Sequence, residues 1–170
     1  HRLHWRVIAA SGARTADAIA RLADAAPERF DVAVVALGVN DVTGAVPIRR
    51  WLDRQAALRA LLERRFGVHH VVLSGLPPMG AFPALPQPLR WHIGARATQF
   101  DRALARDVGS EPDTHFIDLR FSEDMALMAS DGFHPGPAIY AEWARRVAAA
   151  IRARWGDIPS VVITADYGEE

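Results

Sequence analysis

Val32-Ala33-Val34-Val35-Ala36-Leu37 is an unbroken apolar run that stops at Gly38-Val39-Asn40-Asp41. The run is too short for a good helix and rich in β-branched Val, so it predicts a strand covered on both faces, as in a parallel sheet. Three other short apolar runs share that character, at residues 5–10, 68–73 and 114–119. Between the strands the period changes to 3.6. Ile48, Trp51, Leu52, Leu58, Leu61, Leu62 and Phe66 fall largely on one helical face, with Arg49, Arg50, Asp53, Arg54 and Glu63 elsewhere. Ile139, Tyr140, Trp143, Val147, Ile151 and Trp155 repeat the pattern in a last helix, and residues 15–26 and 91–108 read as two more. Strands alternating with helices predict an α/β domain, a three-layer α/β/α arrangement around a mostly parallel sheet.

The chain has 170 residues, half of them apolar and 24% charged, which is the length and composition of one globular domain. Residues 1–156 read as that domain and residues 157–170 as a C-terminal tail. All 20 basic residues are Arg, and 20 acids balance them to zero net charge, so an electrostatic grip on nucleic acid is not expected. The absence of Lys removes a Schiff-base lysine and the lysine of a phosphate-binding loop, and the absence of Cys removes thiol nucleophiles and thiolate metal sites. No apolar stretch approaches the roughly 18 residues of a membrane span, so no integral membrane segment is expected. Compartment stays open, with the cytoplasm favoured.

Three polar clusters sit where predicted strands end or the last helix begins: Ser11-Gly12, Gly38–Asp41 and Asp131-Gly132-Phe133-His134. A carboxylate and an imidazole three residues apart, across a turn that Gly132 permits, can meet side chain to side chain. Asp131 would then fix one tautomer of His134 and stabilise its cation, the base-and-orienter half of a nucleophilic triad. Asn40 follows its strand closely, and its amide can point an N–H at the sheet's C-terminal edge. Gly12 can offer a backbone N–H with no side chain in the way. Two such donors make an oxyanion hole. Each cluster alone is also ordinary turn chemistry. Residues 75–88 hold five prolines, which predicts a stiff apolar loop at the same edge, and Trp91 just beyond it is a candidate wall for an acyl pocket.

In this order the clusters resemble the SGNH, or GDSL-type, family of serine esterases and lipases. That family carries a Gly in its second block, Gly-x-Asn-Asp in its third and Asp-x-x-His in its fifth, matched here by Gly12, Gly38–Asp41 and Asp131–His134. The resemblance implies a flavodoxin-like fold, a Ser-His-Asp mechanism on a small-molecule carboxylic ester, acyl or lipid-like, and no metal or organic cofactor. His134 and Asp131 take the catalytic positions, and Gly12 and Asn40 the oxyanion hole.

The family's first block, Gly-Asp-Ser, carries the nucleophile and is not found in the sequence. Ser11 is a candidate substitute. Against it, a single helix separates Ser11 from Asn40, where the family's serine lies a further βα unit upstream. The expectation is therefore a chain lacking its first strand, with the serine upstream of His1 and residues 1–170 inactive by themselves. Ser160-Val161-Val162-Ile163-Thr164 reads as a strand that could fill the place, followed by Ala165-Asp166-Tyr167. The rival reading is a non-catalytic domain of the same fold that binds without turning over. A nucleotide binder is disfavoured by the lack of Gly-x-Gly-x-x-Gly after a strand. His69 and His70 are neighbours in an extended run, so they point to opposite faces and cannot chelate one metal together. Trp51, Trp143 and Trp155 are expected in the core.

Overall fold

The computed structural model describes residues 4–120 and 127–155. The elements run α1 (Thr15–Asp24), β1 (Val32–Val35), α2 (Val39–Thr43), α3 (Ile48–Phe66), β2 (His70–Ser74), a 3-10 turn (Met79–Ala81), α4 (Leu89–Val108), β3 (Thr114–Ile117) and α5 (Pro137–Trp155). The three strands form one parallel sheet in the order β1-β2-β3, with Val35 beside Leu73 and Ser74 beside Ile117. The predicted α/β architecture with a parallel sheet is observed.

Side-chain alternation sorts the sheet into two faces. Val35, Val71 and Leu73 point into the main core with Trp51, Leu58, Leu62 and Phe66 of α3 and Ile93, Ala97, Phe100 and Leu104 of α4. On the opposite face the described residues make a smaller cluster: Val72 and Ile117 meet Val147 and Ala150 of α5. Every residue of β2 is buried, as expected of a central strand covered on both sides. The apolar stripe read from the sequence of α3 is the face that packs, and Gly67 ends that helix in the left-handed conformation at φ 65°.

One predicted strand is not formed. Residues 5–10 have no ladder partner among the described residues, and Trp5, Val7 and Ile8 are exposed. Apolar content alone does not make a strand, because its backbone N–H and C=O groups need a neighbouring edge. Polar side chains steer this segment instead: His4 Nε2 lies 2.6 Å from Glu28 Oε1, and the His4 ring stacks on Phe30 at 5.7 Å. Trp51 is fully buried and Trp143 half-buried, but Trp155 is 42% exposed, so only part of the expected tryptophan core holds. His70 opens β2 and is buried, while His69, just before the strand, is exposed. The tail strand proposed at 160–164 lies outside the described residues. No helix among the described residues is long and apolar enough to cross a membrane.

Candidate functional site

The Asp131–His134 segment is a closed turn. Ala129 N–H donates to the His134 carbonyl, Gly132 N–H to the Ala129 carbonyl, both at 2.9 Å, and Gly132 sits at φ +66°. That positive φ is where a residue without Cβ belongs. A single antiparallel bridge between Met128 and Pro135 closes the turn, and Pro137 opens α5 at the first helical position.

Within the turn, His134 Nδ1 lies 2.5 Å from Asp131 Oδ2. The other carboxylate oxygen accepts the backbone N–H groups of Phe133 and His134, each at 2.9 Å. An ionised carboxylate only accepts, so Nδ1 carries a proton toward Asp131, and in the neutral imidazole the lone pair is then on Nε2. The hydrogen bond from His134, with the two backbone N–H bonds, draws the Asp131 pKa down to about 2. Both side chains are well exposed, 49% for Asp131 and 66% for His134. The imidazole is thus oriented by a carboxylate and open to solvent on its other side.

Asn40 and Gly12, the expected oxyanion donors, make up the other half of the candidate site. Gly38 precedes α2 at φ +137°, and a Cβ there would lie 2.8 Å from Leu76 Cδ2, so Gly lets β1 turn sharply into α2 beneath that side chain. Asn40 Nδ2 donates to the Ala13 carbonyl at 3.1 Å, which ties α2 to the residue after Gly12. An amide carries two N–H groups, so one remains for another acceptor. Gly12 occupies a turn at φ +71° with no atom within 4 Å of where its Cβ would be, and Ser11 is exposed in the same turn.

Among the described residues no hydrogen bond joins the two halves directly. The proline-rich loop spans the distance between them. It begins with Leu76 over Gly38, continues through Phe82, whose ring meets Phe133 edge-on at 5.4 Å, and donates the Ala84 N–H to the Gly132 carbonyl at 3.1 Å. Two open surface depressions of about 670 and 630 Å3 lie elsewhere, and neither is lined by Gly12, Asn40, Asp131 or His134. Trp91 is 71% exposed at the start of α4. No group of three or more His, Asp and Glu side chains among the described residues is placed to hold a metal ion.

Residues 1–142 match the GDSL-like lipase/acylhydrolase family. The chain belongs to that family. A GDSL-like esterase of Mycobacterium tuberculosis H37Rv, Rv1075c, is 32% identical over 117 residues, a stretch covering 65% of this chain and 37% of that relative. The chain therefore spans little more than a third of the length of the curated relative it matches. Among solved structures, a streptococcal protein provisionally described as a platelet activating factor superposes with a TM-score of 0.68 at 17% identity, over 82% of this chain and 69% of that one. The extracellular lipase of Streptomyces rimosus gives 0.53 at 20% identity, over 82% of this chain and 77% of that one. These likenesses establish the fold.

For this GDSL-like chain, sequence reasoning missed two features of the site region. The helix α2 is five residues long, too short for any periodicity to announce it. Asp41 read as turn chemistry, yet its side chain is fully buried and accepts two hydrogen bonds from Thr15, from N and from Oγ1, at 2.9 Å each. Asp41 ends the motif Gly-x-Asn-Asp and α2 begins within it, but burial is set by α1 and α3 and has no local signal.

Proposed function

We propose that the protein containing this chain hydrolyses carboxylic esters through a serine supplied from outside residues 1–170. The observation that carries this reading is the Asp131–His134 pair, with Nδ1 held 2.5 Å from the carboxylate and the ring largely exposed, which supports Nε2 as the base. In the mechanism, Nε2 of His134 takes the proton of the serine hydroxyl as its oxygen attacks the ester carbonyl carbon. Asp131 keeps the imidazole in the reactive tautomer and stabilises the imidazolium that forms. The carbonyl oxygen becomes an oxyanion held by Gly12 N–H and the second N–H of Asn40. The C–O bond to the alcohol then breaks, and His134 returns the proton to the leaving alkoxide. Water repeats the sequence on the acyl-enzyme, releasing the acid and restoring the serine.

The oxyanion donors act where charge develops, so each is worth more in the transition state than in the ground state. Residues 1–170 include no Gly-Asp-Ser block, and Ser11 stands in an exposed turn without a hydrogen bond to His134, so this chain by itself is expected to be inactive. The apolar proline-rich loop and exposed Trp91 favour a short acyl or lipid-like ester.

Release of p-nitrophenolate from p-nitrophenyl acetate tests the reading. The natural full-length protein should turn over, residues 1–170 should stay at background, and His134→Ala should lower kcat about 10²–10⁴-fold. Activity that survives His134→Ala at the wild-type rate would sink the mechanism. An inactive full-length protein that still binds esters would instead favour the non-catalytic member of the family.

A further inference from the structure

Asp41 is a buried acid that the chemistry above does not use. It is 0% exposed, as is its partner Thr15, and both lie beside the two groups assigned to the oxyanion. Asn40 and Asp41 are consecutive on α2, and both reach into the same four residues of chain. Asn40 Nδ2 donates to Ala13 O at 3.1 Å, and Asp41 Oδ2 accepts from Thr15 N and Oγ1 at 2.9 Å. Gln55 of α3 donates from Nε2 to Thr15 Oγ1 at 3.3 Å, and Arg54 Nη1 stands 3.8 Å from Asp41 Oδ1. The Arg14 guanidinium lies against Gly44, just beyond the end of α2. On the far side of α2, Arg96 donates to the Val42 carbonyl at 3.3 Å and the Val46 carbonyl at 2.6 Å.

A five-residue helix has little rigidity of its own. Its aim is fixed by what grips it, and here the grip runs directly to the chain that presents Gly12. A carboxylate suits the position because Thr15 opens α1, where free backbone N–H groups and the helix dipole favour negative charge. Asp41 Oδ1 is buried without a hydrogen-bond partner, and a side chain serving packing alone would be better apolar than polar at such a place.

We propose that Asp41 and Thr15 are positioning residues for ester hydrolysis, locking α2 to the start of α1 so that the Asn40 amide and Gly12 N–H converge on one oxygen. The inference rests on the esterase reading and refines it. Neither residue touches the reacting atoms; both act through Asn40 and Gly12.

The test uses the natural full-length enzyme carrying Asp41→Asn, Thr15→Val, Thr15→Ser or Asn40→Ala, with p-nitrophenyl acetate kinetics and thermal unfolding measured on each. Asp41→Asn and Thr15→Val should lower kcat about 10- to 100-fold with KM within twofold, while Thr15→Ser, which keeps the hydroxyl, stays within threefold of wild type. Asn40→Ala should lower kcat at least as much, and adding Asp41→Asn to it should cost little more, because the two act on one interaction. A fall in melting temperature with kcat unchanged would overturn the proposal and leave Asp41 a stability residue. If Asp41→Asn does not fold, the Thr15 pair decides: equal kcat for Val and Ser overturns it. If wild type is inactive, or Asn40→Ala leaves kcat untouched, the esterase reading itself fails, a result distinct from the failure of the positioning role.

Discussion

Asp101 shows how one side chain holds the rim of the site under strain of charge. Its Oδ1 accepts the Leu76 N–H at 2.8 Å, and it lies so close to Gly75 that a Cβ there would collide with it. Burial pushes its pKa up, the Leu76 hydrogen bond pulls the other way, and nearby Asp118 adds to the rise. A carboxyl group whose folded pKa is raised stabilises the fold fully below its unfolded pKa and loses that contribution as pH rises through the folded value. Ionised Asp101 is thus a burden at neutral pH. Asp101→Asn keeps an oxygen for Leu76 and discards the charge, so its melting temperature should equal or exceed wild type at pH 7, and the advantage should vanish near pH 3. A lower melting temperature at pH 7 would show that the charge itself is needed. Asp131 is the opposite case, its pKa drawn down to about 2 by hydrogen bonds it receives. That pairing was legible in the sequence because three residues and one Gly suffice to make it. The charge state of Asp101 was not, since it depends on a loop 25 positions away.

At the scale of elements, the proline-rich loop owes its place to a contact between two glycines. Gly94 of α4 packs on Gly80 of the 3-10 turn so closely that a Cβ on Gly94 would collide with the Gly80 backbone, its nitrogen at 2.7 Å. A Cβ on Gly80 would meet Gly94 Cα at 3.5 Å, an ordinary contact. Helix propensity would favour Ala at position 94 by about 1 kcal/mol, while overpacking against backbone costs about 1–3 kcal/mol. Since Gly80 offers no rotamer to move, the clash should win: Gly94→Ala should lose about 1–2 kcal/mol in urea unfolding, and Gly80→Ala well under 1 kcal/mol. Equal effects would refute the asymmetry. The long helices were legible because apolar residues in α3 and α4 recur at helical spacing over five turns. The segment at 5–10 was misread because an apolar run reports burial in a strand only when an edge is there to pair with it. The turns at Gly12 and Asp131–His134 were legible from residue type, whereas Asn40 lies in α2, which has too few residues to show a period.

Among the described residues the two faces of the sheet are unequally held. One face is packed by α3 and α4 around Trp51, Phe66, Phe100 and Leu104, all nearly inaccessible to solvent. The other rests on α5 through four buried residues, Val72, Ile117, Val147 and Ala150. Within the described residues Trp143 Nε1 of α5 donates to buried Ser74 Oγ at 2.8 Å, fastening the helix to the central strand. The Arg154–Asp113 pair at 2.6 Å is exposed on both sides, and such pairs add only about 0–1 kcal/mol. Apolar burial scales with area, so the thinner layer should open first, as a unit smaller than the whole domain. Because α5 begins three residues after His134, its opening would release one end of the turn that aims the imidazole, and the sturdier face would keep Asn40 in place. Native-state hydrogen exchange should therefore find α5 amides exchanging through a lower-energy opening than those of α3. Trp143→Phe, which leaves the Ser74 hydroxyl without its donor at a cost of about 1–3 kcal/mol, should speed exchange in α5 and spare α3. Uniform acceleration across both helices would mean that the two faces unfold together, and that the turn holding His134 is as firmly anchored as the helix beneath Asn40.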